Sequence, residues 1–462
     1  MASSISTGVP TASTPRLRRT LTLWDLILYG VIVIQPVAPM SVFGVLSDRG
    51  HGHVVTTILV AMVAMLFTAI SYGRMARAYP SAGSAFTYVG QEINPALGYV
   101  TGWSMVMDYM LNPMICTIWI SQQAHVFAPA IPYAAWAVVF AGIFTFLNVQ
   151  GVKTSARVNT GLATGMGIVV AIFFVAAARF IFGNPHDGAA FFSHPFYDPQ
   201  LFNGKAVLGA TSVAVLTYIG FDGISTLSEE AENPRRNILL ATVLTCLVIG
   251  MLSAMEVYAA QLVWPASQRF PNIDTAFTYV AGRAWQPLFV IVGFTLMVAN
   301  FGSGMGAQLG AARLLYGMGR SSALPKSFFG AVDPKHHIPR NNVLFVGVIA
   351  LAGAFVLPAI AGEATGFELG ANLLNFGALI AFMGVNGAAF VRYFVRAEKK
   401  TLGNLLPPIL GFVICLFLWW NLSTKARIFG AIWMAVGIAV GAWKTNGFRG
   451  NLIDFELPPE EA

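Results

Sequence analysis

Three carboxylates interrupt stretches that otherwise suit hydrocarbon: Asp108 in WSMVMDYMLNP, Asp222 in YIGFDGIS and Glu256 in SAMEVYAAQLVW. An ionisable group at mid-bilayer opposes insertion by roughly 2.5–3.5 kcal/mol, so such residues face a protein interior or a wet path and mark function. A buried carboxylate can pair with a primary ammonium while unwound carbonyls accept its remaining protons. Asp222, beside Phe221 and between Gly220 and Gly223, has that setting. Its alternative job is to anchor the N–H groups freed where the helix opens. Asp108 suits a second ammonium partner, a proton carrier or a structural link to another helix. Tyr109 follows it, about 100° further round the helix. Its ring offers a cation–π surface and its hydroxyl a hydrogen bond, with an ordinary core tyrosine as the alternative. Glu256 suits proton coupling, a group that alternately holds and releases a proton, or a packing or gate position.

The elements that must position these groups follow from composition. Of 462 residues, 56% are hydrophobic and 10% are charged, against about 25% charged in soluble domains. The chain reads as an all-α polytopic membrane protein. Stretches of about 20 apolar residues fall at 23–46, 54–78, 96–122, 132–150, 157–182, 206–228, 237–263, 284–312, 343–361, 368–392, 405–421 and 426–444, which gives twelve spans. No cleavable signal peptide is expected, because the first apolar stretch is too long for one. Cys116, Cys246 and Cys415 lie inside apolar segments, so they read as core residues rather than a disulfide framework. The net charge of +7 lies at segment ends and not on one face, which argues for membrane orientation and against nucleic acid. With the N-terminus cytoplasmic, only Arg49, Arg179, Lys205, Arg269, Arg283, Lys425 and Arg427 of the 27 basic residues fall outside. That asymmetry matches the positive-inside rule and puts both termini in the cytoplasm. The longest loops, 183–205 and 313–342, hold no catalytic domain; the second has room for a short amphipathic helix.

Spans 1 and 6 are interrupted. In YGVIVIQPVAPMSVFG, Pro36 and Pro39 follow Ile34 and Gln35; proline removes a donor and clashes with the preceding turn, so the helix should break near 34–39. In span 6, Gly220 and Gly223 release the backbone around Asp222. Such backbone is tolerated at membrane depth only where it lines protein or water. Five spans separate the breaks, so two five-helix units of inverted topology, 21–182 and 206–392, would bring both to the midplane, where paired interruptions point to a transporter's binding site. The last two helices (405–444) and the tails 1–20 and 445–462 lie outside the repeat.

Four segments carry a resemblance: FTAISYGRMARAYPSAGSAFTYV (67–89), INPALGYVTGWSMVMDYM (93–110), GFDGISTLSEEAENPRR (220–236) and ARLLYGMGRSSALPKSFFGAVDPKHHIPRNNV (312–343). They resemble the amino acid–polyamine–organocation transporters, and within them look most like bacterial putrescine importers. The likeness runs over roughly 20–445. It implies a LeuT-like ten-helix inverted-repeat core with two extra helices, alternating access and uptake driven by protons. It also implies that the positions of Phe221 and Asp222 contact substrate, and that Tyr109 matches a tyrosine near substrate. Many amino-acid-transporting relatives carry a lysine in span 5, where Met166 stands here. Loss of that cation is compatible with a dicationic substrate.

Glu229, Glu230, Arg235 and Arg236, at the cytoplasmic end of span 6, read as an inner-gate network that pins the loop. NFGSGMGAQLG (300–310) mimics a dinucleotide fingerprint but lacks a preceding strand; Gly302, Gly306 and Gly310 instead form one small-residue face suited to close helix packing, while Asn300 is placed to face the cavity. His336 and His337 read as loop surface. No histidine has an acid at ligand spacing, so no metal, cofactor or catalytic constellation is expected.

The expected activity is secondary import of a putrescine-like diamine with protons across the inner or plasma membrane. The diamine would lie between spans 1, 3, 6 and 8, with one ammonium on the carbonyls near Ile34, Gln35 and Pro36 and the other on a carboxylate. An amino-acid permease is the same-class rival, and Pro36 and Pro39 weigh against it because they remove N–H donors that a substrate carboxylate would need. A channel or a membrane enzyme is the remote one.

Overall fold

The computed structural model describes residues 21–79, 84–151, 156–186, 188–228, 231–320, 324–333, 338–362, 365–445 and 447–448. Among them the regular structure is helical: α1 (Leu23–Ile34), α2 (Ala38–Arg49), α3 (Val54–Ala78), α4 (Ser84–Glu92), α5 (Pro95–Phe127), α6 (Tyr133–Val149), α7 (Ala156–Gly183), α8 (Gly188–Ser193), α9 (Gly204–Ala214), α10 (Pro234–Val263), α11 (Ala276–Ala284), α12 (Leu288–Arg320), α13 (Lys326–Phe329), α14 (Arg340–Ala361), α15 (Gly366–Phe390), α16 (Leu402–Trp420) and α17 (Thr424–Lys444).

Nine described stretches are long and apolar enough to cross a membrane, and the bent pair α1–α2 makes a tenth. The short α6 and the 33-residue α5 complete the twelve expected positions. α5 is less apolar because it carries Ser104, Asp108, Asn112, Thr117 and Gln123 along its length. Phe182, Val175, Leu402 and Trp443 are each at least 70% exposed on the outside of the bundle. So much outward apolar surface belongs in lipid, not in water. The chain is a multi-pass helical membrane protein.

The centre is built from long helices packed pairwise: α10 on α3, and α5 on both α12 and α15. Hydroxyls inside this core close onto their own helix. Thr117 donates to Pro113 O (2.8 Å), filling a carbonyl near the proline inside α5, and Ser121 donates to Thr117 O (2.6 Å). Such back-bonding satisfies a buried hydroxyl without a partner helix.

α1 begins at a capping box: Asp25 N–H donates to Thr22 Oγ1 (3.3 Å) and Thr22 N–H to Asp25 Oδ2 (2.9 Å). It ends at Ile34, two residues before Pro36, and α2 leaves at a bend of 48°. In span 6 the opening is longer than the two glycines imply. α9 tightens into a 3-10 turn at Val215–Tyr218, Gly220 takes a left-handed conformation (φ 119°), and a second 3-10 turn covers Phe221–Leu227. No α-helix resumes in the described part of the span. α12 runs on to Arg320, into the stretch expected to be loop, and the helix of that loop is the single turn α13.

Candidate functional site

The first break is made by Gln35, whose φ of 72° is rare for a non-glycine residue. Its N–H still closes α1 on Val31 O (3.0 Å), while its side-chain amide donates to Ala299 O on α12 (2.6 Å). Gln35 therefore ties the break to α12. Beyond it, Ala38 N–H turns to Gln35 O (3.1 Å). The end of α1 leaves the carbonyls of Ile32, Val33 and Ile34 at the break, Ile32 because Pro36 supplies no N–H. On the α2 side, Asn300 Nδ2 donates to Ser41 Oγ (3.1 Å), which places Asn300 of α12 against the far half of the broken span.

In the second break Asp222 turns its carboxylate back on the opened chain. Gly220 N–H donates to Asp222 Oδ1 (3.2 Å), with the N–H groups of Asp222 and Gly223 beside it. The anchoring role is thus realised. Ser225 Oγ donates to Asp222 O (2.6 Å) and meets Ser84 Oγ at 3.1 Å, which joins the break to α4. Phe221 is fully buried: its ring lies 5.6 Å from that of Tyr72 and 5.3 Å from that of Phe382. It forms an aromatic wall behind the break.

Asp108, Tyr109 and Asp222 come together. Asp108 and Asp222 lie within electrostatic range of each other, and both within range of the Tyr72 and Tyr109 hydroxyls. Asp108 is 8% exposed and Asp222 6%. No described residue hydrogen-bonds the Asp108 carboxylate, and no described basic side chain acts on either acid. Tyr109 lies against Gly310, where a Cβ would stand 3.1 Å from its ring; this close approach is what the glycine permits. Tyr29 of α1 reaches the same region, its hydroxyl 3.9 Å from the position a Cβ would take at Gly223. The groups gathered here are two acids and several phenols. Together they can take a cation, and their chemistry is poor for an anion.

Glu256 stands apart. It is fully buried on α10, and neither carboxylate oxygen has a partner among the described residues. Neither Asp108 nor Asp222 is in its range. Arg235 and Arg236 are exposed in the first turn of α10, while Glu229 and Glu230 lie outside the described residues, as do His336 and His337. Among the described residues the loop after span 6 is tied by main chain, Glu232 N–H donating to Leu21 O (2.8 Å). The glycine face of α12 needs correction. A Cβ at Gly302 or Gly306 would meet nothing described within 4 Å, and close packing falls to Gly304, against Phe144 and Cys116, and to Gly310. Residue spacing fixes a face but not what stands opposite it. Met166 is buried in the apolar core, so no cation occupies that position.

Two charged clusters escaped the sequence reading. Glu92 of α4 is fully buried and accepts from Tyr79 (2.8 Å), Arg392 and Arg396 (2.9 Å). Arg392 lies within a π-helical turn at Val391–Val395, and Arg396 caps it. Their i, i+4 spacing was the available signal. At the opposite face Arg49, ending α2, forms a fork on Glu368 of α15 (Nε–Oε1 2.9 Å, Nη2–Oε2 3.1 Å). Asp274 lies behind Glu368, and burial pushes its carboxyl up to about 7. These residues sit at span ends, where a charge attracts no notice.

A protein-family model described as amino acid permease matches residues 37–449. The low-affinity putrescine importer PlaP of Escherichia coli (strain K12) is 35% identical over 458 residues, covering 97% of this chain and 98% of that protein. The branched-chain amino acid permease BcaP of Bacillus subtilis (strain 168) is 26% identical over 460 residues, covering 93% and 94%. Cationic amino acid transporter 6, chloroplastic, of Arabidopsis thaliana is 27% identical over 416 residues, covering 84% and 68%.

Proposed function

The chain belongs to the amino acid permease family, a family of transporters and not of enzymes, and from that premise we propose that it imports a putrescine-like diamine together with protons. The observation that carries the reading is the pair Asp108 and Asp222, two acids in mutual range with no described basic side chain acting on them. A zwitterionic amino acid would bring its own carboxylate against that pair. A diamine brings two ammonium groups and no anion. The likeness to PlaP, over nearly the full chain, supports the same substrate class.

In this reading one ammonium lies between Asp108 and the Tyr109 ring, and the other approaches the Ile34 carbonyl and Asp222. Asp222 serves twice, holding the N–H groups of the break and lending charge to the site. Phe221 and Gln35 shape the pocket: Phe221 walls it, and Gln35 holds the break in register with α12. Pro36 keeps the chain open by supplying no N–H. The joint charge of the two acids is balanced by protons when the pocket lacks substrate and by ammonium groups when it is filled, which links the two movements. Glu256 is the second candidate for proton movement.

The basic residues orient the chain with both termini in the cytoplasm and the Arg49 face outside, in the inner or plasma membrane. The units 21–182 and 206–392 act as the two inverted repeats, with 405–444 appended. Glu229, Glu230, Arg235 and Arg236 belong to the inner gate in this scheme. Uptake of a panel of radiolabelled amines and amino acids into vesicles tests the substrate class. Strong competition of putrescine uptake by a neutral amino acid would remove the diamine reading.

A further inference from the structure

The Arg49–Glu368 pair holds α2 to α15. α2 is also seated on the segment before α11: a Cβ at Gly44 would meet Ile273 O at 2.0 Å, and Phe43 packs edge-on against Phe270 and Phe277. The pair and this packing close α2 against α15 and the segment before α11.

The charges at this closure are uneven. Glu368 is 7% exposed and Asp274 5%. The two lie in electrostatic range of each other, and Asp48 adds a third acid in range of Glu368. Arg49 answers one of them with its fork. Lys425, the other cation nearby, is committed to the carbonyls of Ile360 (2.6 Å) and Ala361 (2.9 Å) at the end of α14. Asp274 Oδ1 is left buried with no hydrogen-bond partner among the described residues. A buried carboxylate oxygen that lacks a donor is a place for one.

Arg49 is the least buried member of the group, with 46% of its side chain exposed. Its guanidinium has water beside it to move into, whereas its partner Glu368 is buried. The carboxylates cannot follow it, and they require a cation in its place. A primary ammonium has three donors that point apart, enough to bridge Glu368 and Asp274 Oδ1, which the planar fork of an arginine engaged on Glu368 does not do. A shallow depression lined by Arg49, Glu368, Leu369 and Lys425 opens beside them to the surface.

We propose that Glu368 and Asp274 form an entry site for a primary alkylammonium, and that Arg49 is its built-in occupant, displaced when an external amine arrives. Displacement unties α2 from α15, so the arriving amine opens the mouth it passes through. The site is separate from Asp108 and Asp222, and it rests on the reading that cationic amines approach from this face.

Cysteine labelling tests it. Ser41, half-buried on α2 between the closure and the break, is replaced by cysteine in the full-length chain in vesicles. Cys116, Cys246 and Cys415 are all buried, so they leave a membrane-impermeant maleimide to the new thiol. Putrescine should raise the labelling rate at least threefold over choline at equal ionic strength. With Glu368→Gln, or Arg49→Gln if that chain does not fold, labelling should be fast without putrescine and indifferent to it. With Asp274→Asn the basal rate should stay low, and at least fivefold more putrescine should be needed. An unresponsive parent or an unchanged response in Asp274→Asn would each overturn the entry site. Transport is not read here. A labelling response in a chain that does not carry putrescine keeps the entry site and removes the diamine import proposed above.

Discussion

Asp108 of α5 and Asp222 of the span 6 break stand within electrostatic range of each other, while no described basic side chain acts on either. Two acids so placed make a site for positive charge. They also divide the labour, because Asp222 spends part of its carboxylate on the N–H of Gly220 (3.2 Å) whereas Asp108 is held by no described group.

That division predicts different outcomes for the two amides. Asp108→Asn should weaken putrescine transport chiefly through KM. Losing one charged hydrogen bond of about 1.5–3 kcal/mol corresponds to roughly 10- to 100-fold. Asp222→Asn should reduce kcat as well, because it disturbs the break. Initial-rate kinetics in vesicles separate the two, and equal effects on both constants in both variants would argue against it.

Gly44 should be intolerant of a side chain. A methyl group there would press on Ile273 O, and overpacking of this kind opposes the packed state by about 1–3 kcal/mol. Gly44→Ala should lower kcat and speed labelling at position 41 by holding α2 away from Ile273. Wild-type turnover in that variant would show that α2 does not need to close on this segment.

The entry site carries a pH dependence. Asp274 holds its proton below about 7 and carries charge above it. An ammonium binds the charged form, so the putrescine concentration that half-saturates the labelling response should fall as pH rises from 6 to 8. The groups that face Asp274 are Glu368 of α15, Thr365 before it and Tyr133 of α6, with Arg49 and Asp48 of α2 acting on Glu368. Asp274→Asn should flatten the profile. A profile unchanged in that variant assigns the dependence to another group.

The Glu92 cluster predicts a stability effect at the other face. Glu92 is fully buried while Arg392 and Arg396 are 39% and 59% exposed. Glu92→Ala lets the arginines reach water but loses the tie between α4 and α15, at about 1–3 kcal/mol. Arg392→Ala leaves the acid buried with one arginine and Tyr79. Both should lower the melting temperature in detergent, with Arg396→Ala the mildest of the three. An unchanged melting temperature in Glu92→Ala would mean that α4 is held by other contacts.

What was legible in the sequence is what covalent chemistry fixes locally. Pro36 cannot donate, so the break between α1 and α2 follows from its ring, and the three buried acids stand out against apolar neighbours. The early tightening of span 6 at Val215 was not legible, because VLTY contains neither glycine nor proline. Arg49 and Glu368 are separated by more than three hundred residues and lie at span ends, so their fork exists only once α2 and α15 meet. Gly302 and Gly306 looked like a packing face because spacing reveals a surface and not its partner.

The central claim is that the paired acids admit a diamine and couple it to protons. The most direct test is putrescine accumulation in proteoliposomes under an imposed pH gradient, acid outside, for the wild-type chain and Asp108→Asn. The expected result is uphill accumulation by the wild type, collapsed by a protonophore, and at least tenfold weaker apparent affinity in Asp108→Asn, as the loss of one charged hydrogen bond implies. Accumulation that ignores the protonophore, or an unaltered affinity in Asp108→Asn, would contradict it.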